Sequence, residues 1–187
     1  MTETDEQLAN LCKEGDDLAF QRLMNRYLNP IYGFIRQYIR GMEDVEDVVQ
    51  NTFFKAWKNI KRFKADHPFK PWIYTIARNT ALDHIKRKKA VTFSELDGEE
   101  DEVHFDETLS DTEPIADELF AQAEQRDKLN KVMEVLHPDH RAILIMHYHQ
   151  EMTFEEISEA IGKPMNTVKS WHRRALIKIK GQLHQKP

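Results

Sequence analysis

The chain has 187 residues, 27 Lys and Arg against 32 Asp and Glu, a formal net charge of −5 and one cysteine. No apolar run approaches the roughly 20 residues that span a bilayer, a lone Cys12 makes no internal disulfide, and the acidic start lacks a basic-then-apolar leader, so one or two small cytoplasmic domains are expected. The average charge hides segregation: residues 1–54 hold 5 basic and 10 acidic groups, 55–93 hold 11 and 2, 94–118 hold 0 and 12, 119–159 hold 4 and 8, and 160–187 hold 7 and 0.

With 6 Gly, 7 Pro and no convincing apolar–polar alternation, the periodic segments read as helices and the fold class as all-α. A first helix is predicted over residues 3–15 and a second over 17–40, where Leu18, Leu23, Tyr27, Ile31, Phe34, Ile35 and Tyr38 recur at helical spacing. Pro30 is expected to kink or divide the second. A third, over 43–63, places Val45, Val48, Val49, Phe53, Ala56, Trp57 and Ile60 on one side. A loop with Asp66, His67 and Pro68 precedes a fourth helix over 70–89. These segments define a helical bundle over residues 1–90. Residues 91–118 hold too few apolar groups to offset their ordering entropy and read as a flexible acidic linker. Residues 119–187 form a second small helical domain, with helices predicted to residue 136, from Pro138 to His149, over 153–161 and over 164–183.

The last two helices carry a helix-turn-helix pattern. Thr153 with Glu156 reads as a capping box, Ile157 and Ile161 as core, Gly162 as the left-handed stop and Pro164 as the next helix start. Val168, Ala175 and Ile179 continue the core stripe. The other faces offer Asn166, Thr167, Lys169, Ser170, His172, Arg173, Arg174 and Lys178. Polar residues at the start of such a helix suit base edges, and later cations suit phosphates. A helical hairpin with a solvated basic end also fits the pattern, but turn, cap, spacing and the acid-free tail favour DNA binding.

Residues 62–79 interleave aromatics with cations. Single-stranded nucleic acid is held by stacking surfaces in a positive groove. Phe63, Phe69, Trp72 and Tyr74 supply the first and Lys61, Arg62, Lys64, Lys70 and Arg78 the second, and Asn79, Asp83, Lys86 and Arg87 follow on the fourth helix. Aromatics in a small bundle are usually core, so Trp72 and Phe53 are expected to be mostly buried. The His137/His140 and His147/His149 pairs lack metal-site spacing, and no nucleophile–base pair or glycine-rich phosphate loop occurs. No metal, cofactor or catalytic residue is expected.

The order of these pieces resembles an alternative sigma factor of bacterial RNA polymerase, of the extracytoplasmic-function (ECF) group in the sigma-70 superfamily. The matching pieces are Asp16-Asp-Leu-Ala-Phe20, Glu46-Asp-Val-Val-Gln50, Pro71-Trp-Ile-Tyr-Thr-Ile-Ala-Arg-Asn79, Glu155-Glu-Ile157 and Thr167-Val-Lys-Ser170. The resemblance implies a sigma region 2 domain that docks Asp47, Gln50, Asn51 and Phe54 on the clamp helices of the polymerase largest subunit. Its loop 64–70 would capture a flipped base of the −10 strand, and Arg62 to Arg87 would hold that element. A region 4 domain near the β flap would bind the −35 duplex, and an anti-sigma factor would hold the free chain. The chain departs from the family pattern at Asn51, Ser158, Asn166 and Trp171. The competing reading is a helix-turn-helix regulator that binds duplex DNA without polymerase, which leaves residues 62–79 unexplained.

Overall fold

The computed structural model describes residues 3–39, 41–64, 66–92, 133 and 136–184. These residues form helices and turns with no strand among them: α1 Asp5–Lys13, α2 Asp17–Ile35, α3 Met42–Asn59, a 3-10 turn Ile60–Arg62 and α4 Phe69–Thr92. After the acidic segment come α5 Pro138–Leu144 with a π-helical turn Ile145–His149, α6 Phe154–Ile161 and α7 Met165–His184. The predicted linker from residue 93 onward, and the helix predicted from 119 except Met133 and Leu136, lie outside the described residues.

Local chemistry sets the helix ends. Thr4 and Gln7 form a reciprocal capping box on α1, and the Asp16 carboxylate accepts the Leu18 and Ala19 amides at the start of α2. Pro30 lies inside α2 and does not divide it. Its cost of about 3 kcal/mol is outweighed by burial of Tyr27, Ile31, Phe34 and Ile35 on the same stripe, each contributing about 1.5–3 kcal/mol. α2 ends at Ile35 because the chain then turns, with Gln37 and Tyr38 amides bonded to Phe34 and Ile35 carbonyls.

The N-terminal core joins α1 through Leu8 and Ala9, α2, α3 through Val45, Val48, Val49 and Phe53, and α4 through Ile73, Tyr74, Ala77 and Ala81. Buried Thr52 donates its hydroxyl to the Val48 carbonyl at 2.7 Å and so adds no orphaned donor. Two expected core residues stand elsewhere: Leu18 is exposed, and so is Trp57 at 51%. Phe53 is buried, and Trp72 is partly buried against the core.

In the second domain α7 packs against α5 and α6 through Ala142, Ile143, Met146, Ile157, Ile161, Val168, Ala175 and Ile179. The predicted capping box is present: the Glu156 amide donates to Thr153 Oγ1 at 3.2 Å and the Thr153 amide to Glu156 Oε2 at 2.8 Å. Gly162 ends α6 at φ 69°, ψ 35°. The Ser158 carbonyl accepts the Gly162 and Lys163 amides, and its hydroxyl donates to the Lys163 carbonyl at 2.6 Å. The serine that departs from the family pattern thus closes the turn between α6 and α7.

Nothing lies within 4 Å of a Cβ built on Gly162, so a substitution there meets only backbone strain. Gly162→Ala should lower the opening free energy of α6 and α7 by about 1 kcal/mol. Native-state hydrogen exchange of their amides checks this, and unchanged protection would count against turn strain.

Candidate nucleic-acid and protein interfaces

The loop 64–68 emerges from an aromatic knot. Phe63 and Phe69, at 3% and 2% exposure, end its two stems, with rings 5.6 Å apart and each 5.4 Å from Trp72. Tyr27 of α2 meets Phe69 edge-on at 5.3 Å. Phe63 and Phe69, expected to stack on bases, are therefore core residues here, and so is Tyr74, fully buried against Phe34. Half-buried Trp72 and exposed Arg62, Lys64, Asp66 and His67 border the loop instead. Aromatic pairing of this kind adds to simple burial and fixes the stems.

Along α4, Asn79, Asp83, Lys86 and Arg87 are exposed at helical spacing, as expected. Lys55 of α3 reaches Asp83 at 3.4 Å, and Asp44 pairs with Lys88 and, at 3.5 Å, with His84. The hydrogen bond from Lys88 holds the Asp44 carboxyl below its usual range. Two other cations face the second domain. The Arg78 guanidinium makes two bonds to Asp139 Oδ1, at 2.8 and 2.5 Å, with side chains only 12% and 13% exposed. Lys70 donates to the Gln150 carbonyl, and Arg141 of α5 donates to the Gln37 carbonyl. α6 also packs against α4, so the two domains form a closed arrangement around these contacts.

Asp47, Gln50, Asn51 and Phe54 share an exposed face of α3. Phe54 and Trp57, exposed by about half, border an apolar groove of about 330 Å³ whose floor includes Met24, Leu28, Val49 and Phe53. Lys58 lies 4.9 Å above the Phe54 ring. Isolated exposed apolar residues are ordinary; here Phe54 and Trp57 border one groove.

The face of α7 divides. Asn166, Lys169 and Lys178 are exposed and Thr167, Ser170, Arg173 and Arg174 half-buried. His172 points inward, with Nε2 3.0 Å from the Tyr148 hydroxyl and its ring among His147, Tyr148 and Phe154. Burial, with help from His147, lowers its pKa to about 4. Trp171 packs against His140 at 5.5 Å, taking a structural place where the family pattern has a cation. Among the described residues, no cluster of three or more His, Cys, Asp or Glu is arranged to hold a metal ion.

Comparison with known proteins bears on what these faces are for. Residues 23–91 match the Sigma-70 region 2 model and residues 126–179 the Sigma-70 region 4 model, together about two thirds of the chain. Curated relatives include the RNA polymerase sigma-H factor of Pseudomonas aeruginosa, 29% identical over 90% of this chain and 88% of its own. The ECF RNA polymerase sigma factor SigW of Bacillus subtilis is 26% identical over 91% and 92%. The chain belongs to the ECF group of the sigma-70 family. The fold agrees with that of CnrH in complex with the cytosolic domain of CnrY, at TM-score 0.71, 22% identity and coverage of 99% and 100%. It also agrees with the sigma factor RpoE in complex with the anti-sigma factor NepR from Bartonella quintana, at TM-score 0.67, 21% identity and coverage of 90% and 98%.

This sigma factor is thus a promoter-recognising subunit of RNA polymerase. No helix among its described residues is long and apolar enough to cross a membrane. Its closed arrangement was not readable from sequence, because Arg78 and Asp139 lie 61 residues apart with no pattern linking them. Trp57, Met24 and Leu28 were also missed as surface residues. Only their joint exposure around one groove gives them meaning.

Because the folded state holds His172 neutral, the unfolded chain binds more protons between pH 6.5 and about 4. The stabilising contribution is complete above pH 6.5 and is lost as pH falls through that window, by up to about 3 kcal/mol. His172→Phe should accordingly gain stability relative to the unaltered chain on going from pH 7 to pH 5 in urea unfolding. A stability difference that does not change with pH would contradict the inward, neutral placement.

Proposed function

We propose that the sigma factor divides promoter binding among three faces. The α3 face of Asp47, Gln50, Asn51 and Phe54, with Trp57 at its edge, docks on the clamp helices of core polymerase, and the second domain lies near the β flap. Exposed Asn79, Asp83, Lys86 and Arg87 on α4, with loop 64–68, Arg62, Lys64 and Trp72, hold the melted −10 strand. Asn166, Thr167, Lys169, Ser170, Arg173, Arg174 and Lys178 of α7 hold the −35 duplex. The observation that carries this reading is the separation of an apolar, partly acidic α3 face from a polar and cationic α4 face on one bundle. His172 stabilises α7 from inside and makes no base contact, while Phe63 and Phe69 shape the loop without stacking on DNA.

The chain acts by binding alone, in the cytoplasm, and contributes no catalytic group. Melting is driven by capture: extruding a base costs a few kcal/mol, which a preformed pocket and a cationic surface offset. An anti-sigma factor, such as the NepR bound to the sigma factor RpoE of Bartonella quintana, would hold the free chain by covering the same faces.

Reconstitution tests this. Added to core polymerase, the chain should form a holoenzyme and start transcription on supercoiled promoter DNA. Phe54→Ala should weaken core binding, Asn79→Ala should change −10 preference with core affinity intact, and Lys169→Ala should weaken −35 binding and reduce the salt slope by about 1. DNA binding with no holoenzyme would favour a polymerase-independent regulator.

The closed arrangement has its own consequence. Elements about 25 base pairs apart are separated by about 85 Å of B-DNA at 3.4 Å per pair, whereas α4, at 1.5 Å per residue, is only about 36 Å long. With α6 against α4 the two domains cannot reach both elements, so promoter binding requires them to part and frees Arg78 and Lys70. Asp139→Asn should raise the affinity of the free chain for single-stranded −10 DNA severalfold, because a nearly dry ion pair is broken. Unchanged affinity would show that the closed pair does not restrain the −10 surface.

A further inference from the structure

α1 touches both ends of the loop 64–68. At its start, Glu6 Oε1 accepts the backbone N–H of Phe69 at 3.0 Å, across 63 residues of sequence. Phe69 opens α4, so this N–H is one of the donors that a helix start leaves unpaired, and a carboxylate there also meets the positive end of the helix dipole. At the other end of α1, Lys13 Nζ lies 5.4 Å from the centre of the Phe63 ring, and α1 packs against the turn Ile60–Arg62 that leads into Phe63. Glu6 and Lys13 are seven residues apart and therefore share one face of the helix.

The rest of α1 is anchored away from the loop. Asp5 receives hydrogen bonds of 2.5 Å from Arg26 and from the Tyr27 hydroxyl, Arg26 also bonds the Glu3 carbonyl, and Leu8, Ala9 and Cys12 are buried in the core. α1 is thus a rigid bar tied to α2 on one side and to both loop stems on the other. It lies ahead of residue 23, where the match to sigma region 2 begins.

We propose that Glu6 and Lys13 are positioning residues for the capture of an unpaired base by loop 64–68: they fix the distance and orientation of the Phe63 and Phe69 stems, and through them the shape of the pocket. The proposal rests on reading that loop as the base-capturing element. A loop whose stems are held before DNA arrives loses less freedom on binding. A pocket of fixed shape also discriminates between bases, whereas a loosened one accommodates several. Neither side chain needs to touch DNA.

The test uses the full chain assembled with core polymerase. Single-stranded DNA 10-mers are selected from a randomised pool, and the position most strongly discriminated by the unaltered holoenzyme, about tenfold or more between best and worst base, supplies four fluorescent probes. Glu6→Ala should cut that discrimination about fivefold, and Lys13→Met should do so to a lesser degree. Glu6→Gln, which keeps an oxygen to accept the Phe69 N–H, should restore it. Hydrogen exchange in Glu6→Ala should quicken at the Phe69 amide while the Leu23 and Val49 amides keep their protection, which separates a loosened loop from an unfolded bundle. Full discrimination in Glu6→Ala, or no recovery in Glu6→Gln, would overturn the proposal. His67→Ala distinguishes the two levels: if it leaves discrimination untouched, the loop itself is not the capturing element. If it abolishes discrimination while Glu6→Ala does not, the loop reading stands and the role of α1 falls.

Discussion

Phe69 is the first residue of α4 and the meeting point of Tyr27, Phe63 and Trp72, and the position of its ring fixes three things at once. It sets where α4 begins against α2, it closes the loop 64–68 onto its own stem, and it presents a backbone N–H to α1. Buried aromatic edges tolerate little displacement, because a core packed like a crystal has no space into which a ring can move. The polar residues about two and a half to five turns further along α4 inherit this placement: Arg78 faces the second domain, and Asn79, Asp83, Lys86 and Arg87 are surface groups, on a helix whose first residue is held in the core. A binding surface on a rigid helix is more sharply defined than one on a loop, and here the loop itself is tied at both ends.

The same packing explains what could be read in advance and what could not. Residues 153–162 were legible because cap, stripe and stop are local: Thr153, Glu156, Ile157, Ile161 and Gly162 interact within one helix and its turn. The core stripes of α2 and α4 were legible for the same reason. Trp57 was not, because its spacing of four from Phe53 fits the core stripe of α3; only the neighbouring elements reveal that the groove beside Phe20, Met24 and Leu28 leaves it uncovered. Phe63 and Phe69 failed in the opposite sense. Aromatics interleaved with cations fit a stacking surface, but seven residues whose ends converge in a tight loop can turn both rings into one core. His172 shows the limit of a face drawn from one helix, since the partners that turn it inward, His147, Tyr148 and Phe154, come from two other elements.

The closed arrangement ties charge to conformation. A formal charge of −5 says nothing about affinity for DNA, because charges further apart than a Debye length of about 8–10 Å scarcely sense each other in physiological salt. What counts is the number of cations that a phosphate backbone can reach, since each one neutralised releases a counterion. While Arg78 is bonded to Asp139 it is satisfied by a carboxylate in a nearly dry contact, and Lys70 is directed at the Gln150 carbonyl. Parting the domains exposes both groups on α4 beside Lys86 and Arg87. The proposed −10 surface would therefore be more cationic in the open chain than in the closed one, although no residue changes its protonation.

That coupling bears on how one chain manages two DNA elements without binding DNA indiscriminately. An always-open −10 surface would compete for any single strand, whereas a surface that gains cations only when the second domain leaves requires that something outside the chain supply the energy of separation. Under the proposed assignment polymerase is suited to this, because it would dock on Asp47, Gln50, Asn51 and Phe54 of α3, none of which takes part in the Arg78–Asp139 pair. The differential interaction must exceed the closing energy for the open form to dominate, and about 1.4 kcal/mol of difference shifts that population tenfold. The ion pair, its flanking carbonyl contacts and the packing of α6 on α4 together lie within the range of a protein interface to overcome. The closed pair can thus restrain the free chain without preventing the holoenzyme from opening.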